Sequence, residues 1–160
     1  MEIIGGFMSV KNLFISIGIS LGVGGLSSLL TYKSQDIYDE IITPQLSPPS
    51  ILFPIVWTIL YILMGISSYM IYNSQSESKN KALTIYALQL IVNFIWPILF
   101  FNLRVFLLSF LWLILLIILV LYMLKLFYDI KPISSYLQVP YICWLLFASY
   151  LNFMIYILNS

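Results

Sequence analysis

Residues 93–104 read N-F-I-W-P-I-L-F-F-N-L-R, closing an apolar run that begins near Ala82 with polar groups that hydrocarbon rejects. Gln89, Asn93, Trp96 and Phe100 stand at i, i+4, i+7 and i+11, so a helix aligns them on one face. An amide in lipid without a partner costs several kcal/mol, and that face must therefore look into protein or a cavity. Pro97 has no N–H and leaves the carbonyl of Asn93 without its usual donor. Arg104 ends the stretch as an isolated charge, which suits a membrane boundary.

The composition of the whole chain points the same way. Of 160 residues, 62% are hydrophobic and 8% charged, with mean hydropathy +1.03. Soluble domains carry roughly 25% charge, so this chain cannot clothe a water-facing surface and reads as an integral membrane protein. Net charge is +1 with no basic cluster, which argues against nucleic acid as a partner. The absence of histidine removes Ser-His-Asp catalysis, histidine metal sites and bis-histidine haem ligation, and no metal site is expected. Cys143 is the single cysteine and sits in an apolar run, where a thiol behaves as a small hydrophobe.

Hydropathy predicts an all-α bundle of five transmembrane helices in one domain, 1–160, with helices near 12–31, 51–72, 82–101, 105–127 and 134–158. Residues 1–11 read as a weakly amphipathic start, and the first run lacks a small-residue cleavage site, as expected for a retained helix. Its small residues, Gly18, Gly22, Gly24, Gly25, Ser27 and Ser28, serve either close helix packing or ligand contact. The connection 32–50 is the longest, and its T-P-Q-L-S-P-P-S segment forbids regular helix; it is either a tether or a lid. The fourth span is almost wholly Leu, Ile, Val and aromatic, a pattern shared by lipid-exposed and central helices. A short charged loop, 128–133, precedes the fifth span. Lys11, Lys79, Lys81, Lys125 and Lys131 fall on one side, against Lys33 and Arg104 on the other. This bias predicts a cytoplasmic N-terminus and an external C-terminus.

The charged residues all lie in loops, tails or end turns, which argues against ion-coupled carriers and proton pumps. No P-loop, paired catalytic carboxylate or C-x-x-C occurs. On the faces of three helices stand Trp57 and Tyr61; Asn93 and Trp96; and Trp144, Ala148 and Asn152. Apolar walls with a few placed amides suit a flat lipophilic ligand such as a tetrapyrrole or sterol. Indoles stack on such a ligand and offer an N–H donor. The competing reading is that these aromatics mark membrane interfaces and these amides join helices.

The chain resembles the TspO/MBR family, the translocator or tryptophan-rich sensory proteins. The resembling motifs are S-P-P at 47–49, F-P-I-V-W-T-I-L-Y-I-L-M-G at 53–65, N-F-I-W-P-I-L-F-F-N-L-R at 93–104 and P-Y-I-C-W-L-L-F-A-S-Y-L-N at 140–152. The resemblance implies a homodimer of five-helix bundles, with a pocket covered by the first loop; with no interpretable sorting signal, a bacterial plasma membrane is the default expectation. It implies binding of porphyrins (protoporphyrin IX and haem-related tetrapyrroles), sterols and benzodiazepine-type ligands, with no obligatory cofactor. It further implies tetrapyrrole or stress sensing; a light-dependent protoporphyrin IX-degrading enzyme and a tetrapyrrole or sterol transporter are the alternatives. Trp57 and Trp144 match the tryptophans tied to degradation, and Asn93, Trp96, Ala148 and Leu151 match pocket-lining positions. The first loop departs from the family pattern: Thr43 and Leu46 stand where a lysine and a tryptophan are usual. No basic residue follows Tyr156 to complete a sterol-recognition pattern.

Overall fold

The computed structural model describes residues 2–160, and helices are the regular elements among the described residues. They are α1 (Glu2–Thr31), α2 (Ile37–Glu40), α3 (Leu52–Tyr72), α4 (Lys79–Pro97), α5 (Phe106–Ile130), α6 (Pro132–Tyr136) and α7 (Val139–Leu158). Five stretches are long and apolar enough to cross a membrane: Val10–Ser34, Leu52–Tyr72, Lys79–Asn102, Phe106–Ile130 and Pro132–Leu158. α1 packs on α3 and α4, α4 on α5, α5 on α6 and α7, and α6 closes back on α3. The bundle is therefore a ring of five spans.

Several expected boundaries move, each for a local reason. α1 begins at Glu2, so the segment expected as a separate amphipathic start belongs to the first helix. The first connection holds a 3-10 turn, Tyr32–Ser34, and the short α2, both upstream of the proline segment, which is free of helix as expected. The charged loop expected at 128–133 shrinks to Lys131, an extended residue between α5 and α6. Pro132 can open the new helix at once because a first-turn residue needs no N–H donor. The fifth span then breaks at Leu137–Gln138, since Pro140 has no N–H to offer the carbonyl of Tyr136.

Beyond Pro97 the third span widens into a π turn, Ile98–Asn102. The N–H of Leu103 donates to the Ile98 carbonyl at 3.0 Å, and that of Val105 to the Leu99 carbonyl at 3.1 Å. The wider turn lets two consecutive rings, Phe100 and Phe101, serve the same interior wall, with centroids 4.9 Å apart. Arg104 follows in the left-handed region at φ 55°, a costly conformation for a side chain with a Cβ. Its guanidinium pairs with Glu40 at 3.2 Å.

Close approach, not bulk, joins α1 to α3. A Cβ built on Gly65 would collide with the Ile17 backbone, so only glycine fits there. The Ser20 hydroxyl donates to the Tyr61 carbonyl at 2.7 Å, and Gly24 lies under the Tyr61 ring. Gly18, Gly22 and Gly25 have nothing within 4 Å of a built Cβ, so of these four glycines Gly24 alone takes the expected packing role. α5 proves two-sided: Leu113, Leu116, Val120 and Met123 are buried, while Leu111, Leu115, Ile118 and Leu121 face outward. Both readings of that helix hold, one for each face.

Gly65→Val should lower the detergent melting temperature sharply, because overpacking costs about 1–3 kcal/mol and here the clash is with backbone. Gly18→Leu should leave it unchanged. A circular-dichroism melt of both variants checks the pair.

Candidate functional site

Between α1, α3, α4 and α7 lies a cavity of about 400 Å³. Trp57 and Tyr61 enter it from α3, Asn93 and Trp96 from α4, and Ala148, Leu151 and Asn152 from α7. Seven of the eight residues anticipated from the sequence thus share one space. The eighth, Trp144, is not among the lining residues. Its indole packs edge-on against Phe53 at 5.8 Å and beside Phe147 at 5.6 Å, with its N–H buried and without a partner. Phe53 does line the cavity, so one ring stands between that space and Trp144. Helical spacing placed Trp144 on the correct face but gave no sign of the phenylalanine in front of it.

Two hydrogen-bonded clusters set the floor and far wall. The Tyr61 hydroxyl donates to Asn93 Oδ1 at 3.1 Å, and Asn93 Nδ2 donates to the Tyr141 hydroxyl at 2.8 Å. The Tyr141 hydroxyl in turn donates to Gln89 Oε1 at 2.7 Å. These four side chains link α3, α4 and α7 deep in the bundle, and Asn93 and Gln89 are essentially fully buried. In the second cluster Trp96 Nε1 and the Ser109 hydroxyl both donate to Asn152 Oδ1, at 3.1 and 3.0 Å. Asn152 Nδ2 donates to the Phe106 carbonyl at 2.8 Å. The amides therefore do join helices, as the competing reading held, while also facing the cavity.

The aromatic lining is graded. Trp57 lies 5.6 Å from the Tyr61 ring and 6.3 Å, edge-on, from Tyr141. Trp96 packs against Phe100 at 5.5 Å. Several lining residues had no functional reading in the sequence: Phe53, Phe101, Thr58, Gln35 and Tyr38. Phe53, Phe101 and Thr58 lie inside the resembling motifs but had no role of their own there, while Gln35 and Tyr38 lie in the first connection, Tyr38 in α2. Among the small residues of α1, Gly24, Gly25, Ser27 and Ser28 reach the cavity, and Gly18 and Gly22 do not.

The first connection lies across one end of this space. Ile37 is 1% exposed, Tyr38 packs edge-on against Phe53 at 5.5 Å, and Gln35, Tyr38 and Ser50 line the mouth. Burial pushes the Tyr38 phenol above its ordinary value, keeping it neutral in the physiological range. The segment is held from two sides. Glu40 meets Arg104, and the backbone N–H and carbonyl of Ile42 each bond to the Asn159 amide at 2.9 Å. Among the described residues, no charged side chain lines the cavity. The space is walled by aromatic and uncharged side chains, and among the described residues its lining carries no carboxylate, imidazole or amine.

Comparison with known proteins agrees with this architecture. The TspO/MBR family profile matches residues 16–158. A tryptophan-rich protein TspO of Chlorobaculum tepidum is 35% identical over 153 residues, covering 94% of this chain and 97% of the relative. One from Archaeoglobus fulgidus is 36% identical over 154 residues, covering 96% of this chain and all of the relative. A translocator protein of Sus scrofa is 31% identical over 156 residues, covering 96% of this chain and 82% of the relative. With five helices able to span a membrane, four of those spans lining an aromatic cavity, and a profile match over nearly its whole length, the chain belongs to the TspO/MBR family.

Proposed function

We propose that this protein binds porphyrins, protoporphyrin IX and haem-related tetrapyrroles foremost, in the cavity between α1, α3, α4 and α7, and serves tetrapyrrole or stress sensing. The observation that carries the reading is the uncharged, aromatic lining around about 400 Å³, a volume within the roughly 300–1,000 Å³ usual for small-molecule pockets. A macrocycle stacks on Trp57 and Trp96, whose indoles present broad electron-rich faces. Its carboxylates point toward the mouth, at Gln35 and Ser50, because an uncharged interior cannot solvate them. In the membrane we take the chain to be a homodimer with the N-terminus cytoplasmic, in a bacterial plasma membrane.

One observation favours a second reading, light-dependent degradation. Trp57 lines the cavity and leads to two further oxidisable rings, Tyr61 and Tyr141. Light-excited porphyrin and oxygen would carry the hard chemistry there, with the indole as a nearby electron donor and the protein orienting the macrocycle. Trp144 stands one ring behind Phe53 and would act only from that distance.

Titration with protoporphyrin IX in the dark, read by tryptophan quenching against a protein-free detergent control, should saturate. Absence of saturation overturns the assignment. Trp57→Phe should suppress light-driven bleaching of the bound porphyrin more than it weakens binding, whereas Trp144→Phe should have the smaller effect; equal bleaching in wild type and Trp57→Phe removes that indole from the chemistry. In Phe53→Ala the ring between the cavity and Trp144 is gone, so quenching of Trp144 fluorescence by the bound porphyrin should rise. Asn93→Leu strips the buried Tyr61 hydroxyl of its acceptor at a cost of about 1–3 kcal/mol. A thermal melt should show that loss, and affinity should be compared at equal folded fraction.

A further inference from the structure

The cavity is open on one flank. Gly25 and Ser28 of α1, and Pro54 and Thr58 of α3, line it and are themselves exposed, unlike Ser27 and Asn93 of the same lining. A Cβ built on Gly25 meets nothing within 4 Å. The packing described above explains the gap. α1 and α3 touch backbone to backbone at Ile17 and Gly65, are joined by the Ser20 hydroxyl, and meet last at Gly24 under Tyr61. From there toward the first connection α1 bonds to the third span instead. The Ser27 hydroxyl donates to the Phe94 carbonyl at 3.1 Å, and Asn102 Nδ2 donates to the Leu30 carbonyl at 3.1 Å.

This slot opens onto lipid. Gly25 lies six residues before the α1 end at Thr31, and Thr58 six after the α3 start at Leu52. At about 1.5 Å per residue, each sits about 9 Å inside its helix end, within a hydrocarbon layer about 30 Å thick. The aqueous end, by contrast, is crossed by a segment tied down at Glu40 and Ile42 and by the buried Ile37.

We infer that lipophilic ligands enter and leave the cavity sideways, from the bilayer, through the slot between α1 and α3 framed by Gly25, Ser28, Pro54 and Thr58, while the first connection stays closed. The inference rests on the ligand-binding reading above. It defines the ligand class by its route: a molecule flat enough to pass edge-first between two helices and apolar enough to dissolve among acyl chains. Of the four framing residues, Ser28 and Thr58 carry side-chain hydroxyls along that path, that of Thr58 donating to the Pro54 carbonyl at 2.7 Å.

Protein in nanodiscs is mixed with protoporphyrin IX, and tryptophan quenching is followed in time for wild type, Gly25→Ala, Gly25→Leu, Gly18→Leu and Asn159→Ala. Gly25 faces open space in a helix, so a larger residue fits without a clash and improves helix propensity. Gly18→Leu adds the same bulk on the same helix away from the cavity. Sideways entry predicts that Gly25→Leu slows association and dissociation together, by about tenfold or more, with Gly25→Ala between it and wild type. Gly18→Leu and Asn159→Ala then match wild type. Wild-type rates in Gly25→Leu overturn the portal, and so does faster entry in Asn159→Ala, which removes the Ile42 tie and loosens the first connection. Absence of saturable quenching in wild type overturns the ligand-binding reading and the portal with it.

Discussion

Asn93 occupies a position that hydrocarbon would not tolerate alone, and much of the interior is arranged to satisfy it. Its amide accepts from Tyr61 on α3 and donates to Tyr141 on α7, so one side chain fixes the distance and rotation of three helices. Tyr141 donates its own proton to Gln89, one turn back on α4, which closes the set within the protein. Helices in lipid gain little from apolar burial against each other, since the surrounding solvent is equally apolar. Specific hydrogen bonds and close glycine contacts therefore decide register, and both converge on Tyr61. Its hydroxyl reaches Asn93, its ring covers Gly24, and its carbonyl accepts from Ser20.

The sequence revealed the bundle far better than its fittings. Long apolar runs force five spans, and polar residues at helical spacing must turn inward; both follow from the cost of bare polar groups in lipid. That logic placed Trp57, Tyr61, Asn93, Trp96, Ala148 and Asn152 around one space, and the family resemblance added Leu151. It failed for Trp144 because a face is not a depth: periodicity gives direction from the helix axis and not what intervenes, here Phe53. Pro97 signalled a lost hydrogen bond, yet the remedy, a π turn bringing Phe100 and Phe101 to one wall, depends on the bonds available downstream. The ties holding the first connection were equally illegible. Ile42 and Asn159 meet across 117 positions of chain, and neither carries a local pattern that names the other.

The first connection is held across one end of the cavity without the residues that the resemblance leads one to expect there. Where a lysine and a tryptophan are customary, this chain has Thr43 and Leu46. Anchorage comes instead from the backbone of Ile42, from Glu40 and from the wholly buried Ile37. Backbone bonds to an asparagine depend little on the identity of the residue that supplies them, so such a clasp tolerates drift in the segment it holds. Arg104, in its left-handed conformation, presents the guanidinium that completes the clasp from the far side of the ring.

The clusters around Asn93 and Asn152 have a further consequence for what the cavity can tell apart. Oxygen and nitrogen of both amides are already engaged, with Tyr61 and Tyr141 in one case and Trp96, Ser109 and the Phe106 carbonyl in the other. A visiting molecule finds few donors or acceptors waiting for it, so swapping one of its polar groups for an apolar one leaves little unpaired in the wall. Sites of that kind discriminate weakly, by about 10–200-fold for a change of one methylene, where a site built to hydrogen-bond its ligand reaches about 10⁴-fold or more. On the ligand-binding proposal, breadth of response follows from the bundle's own cohesion: the amides that hold the helices together are withdrawn from the task of telling ligands apart.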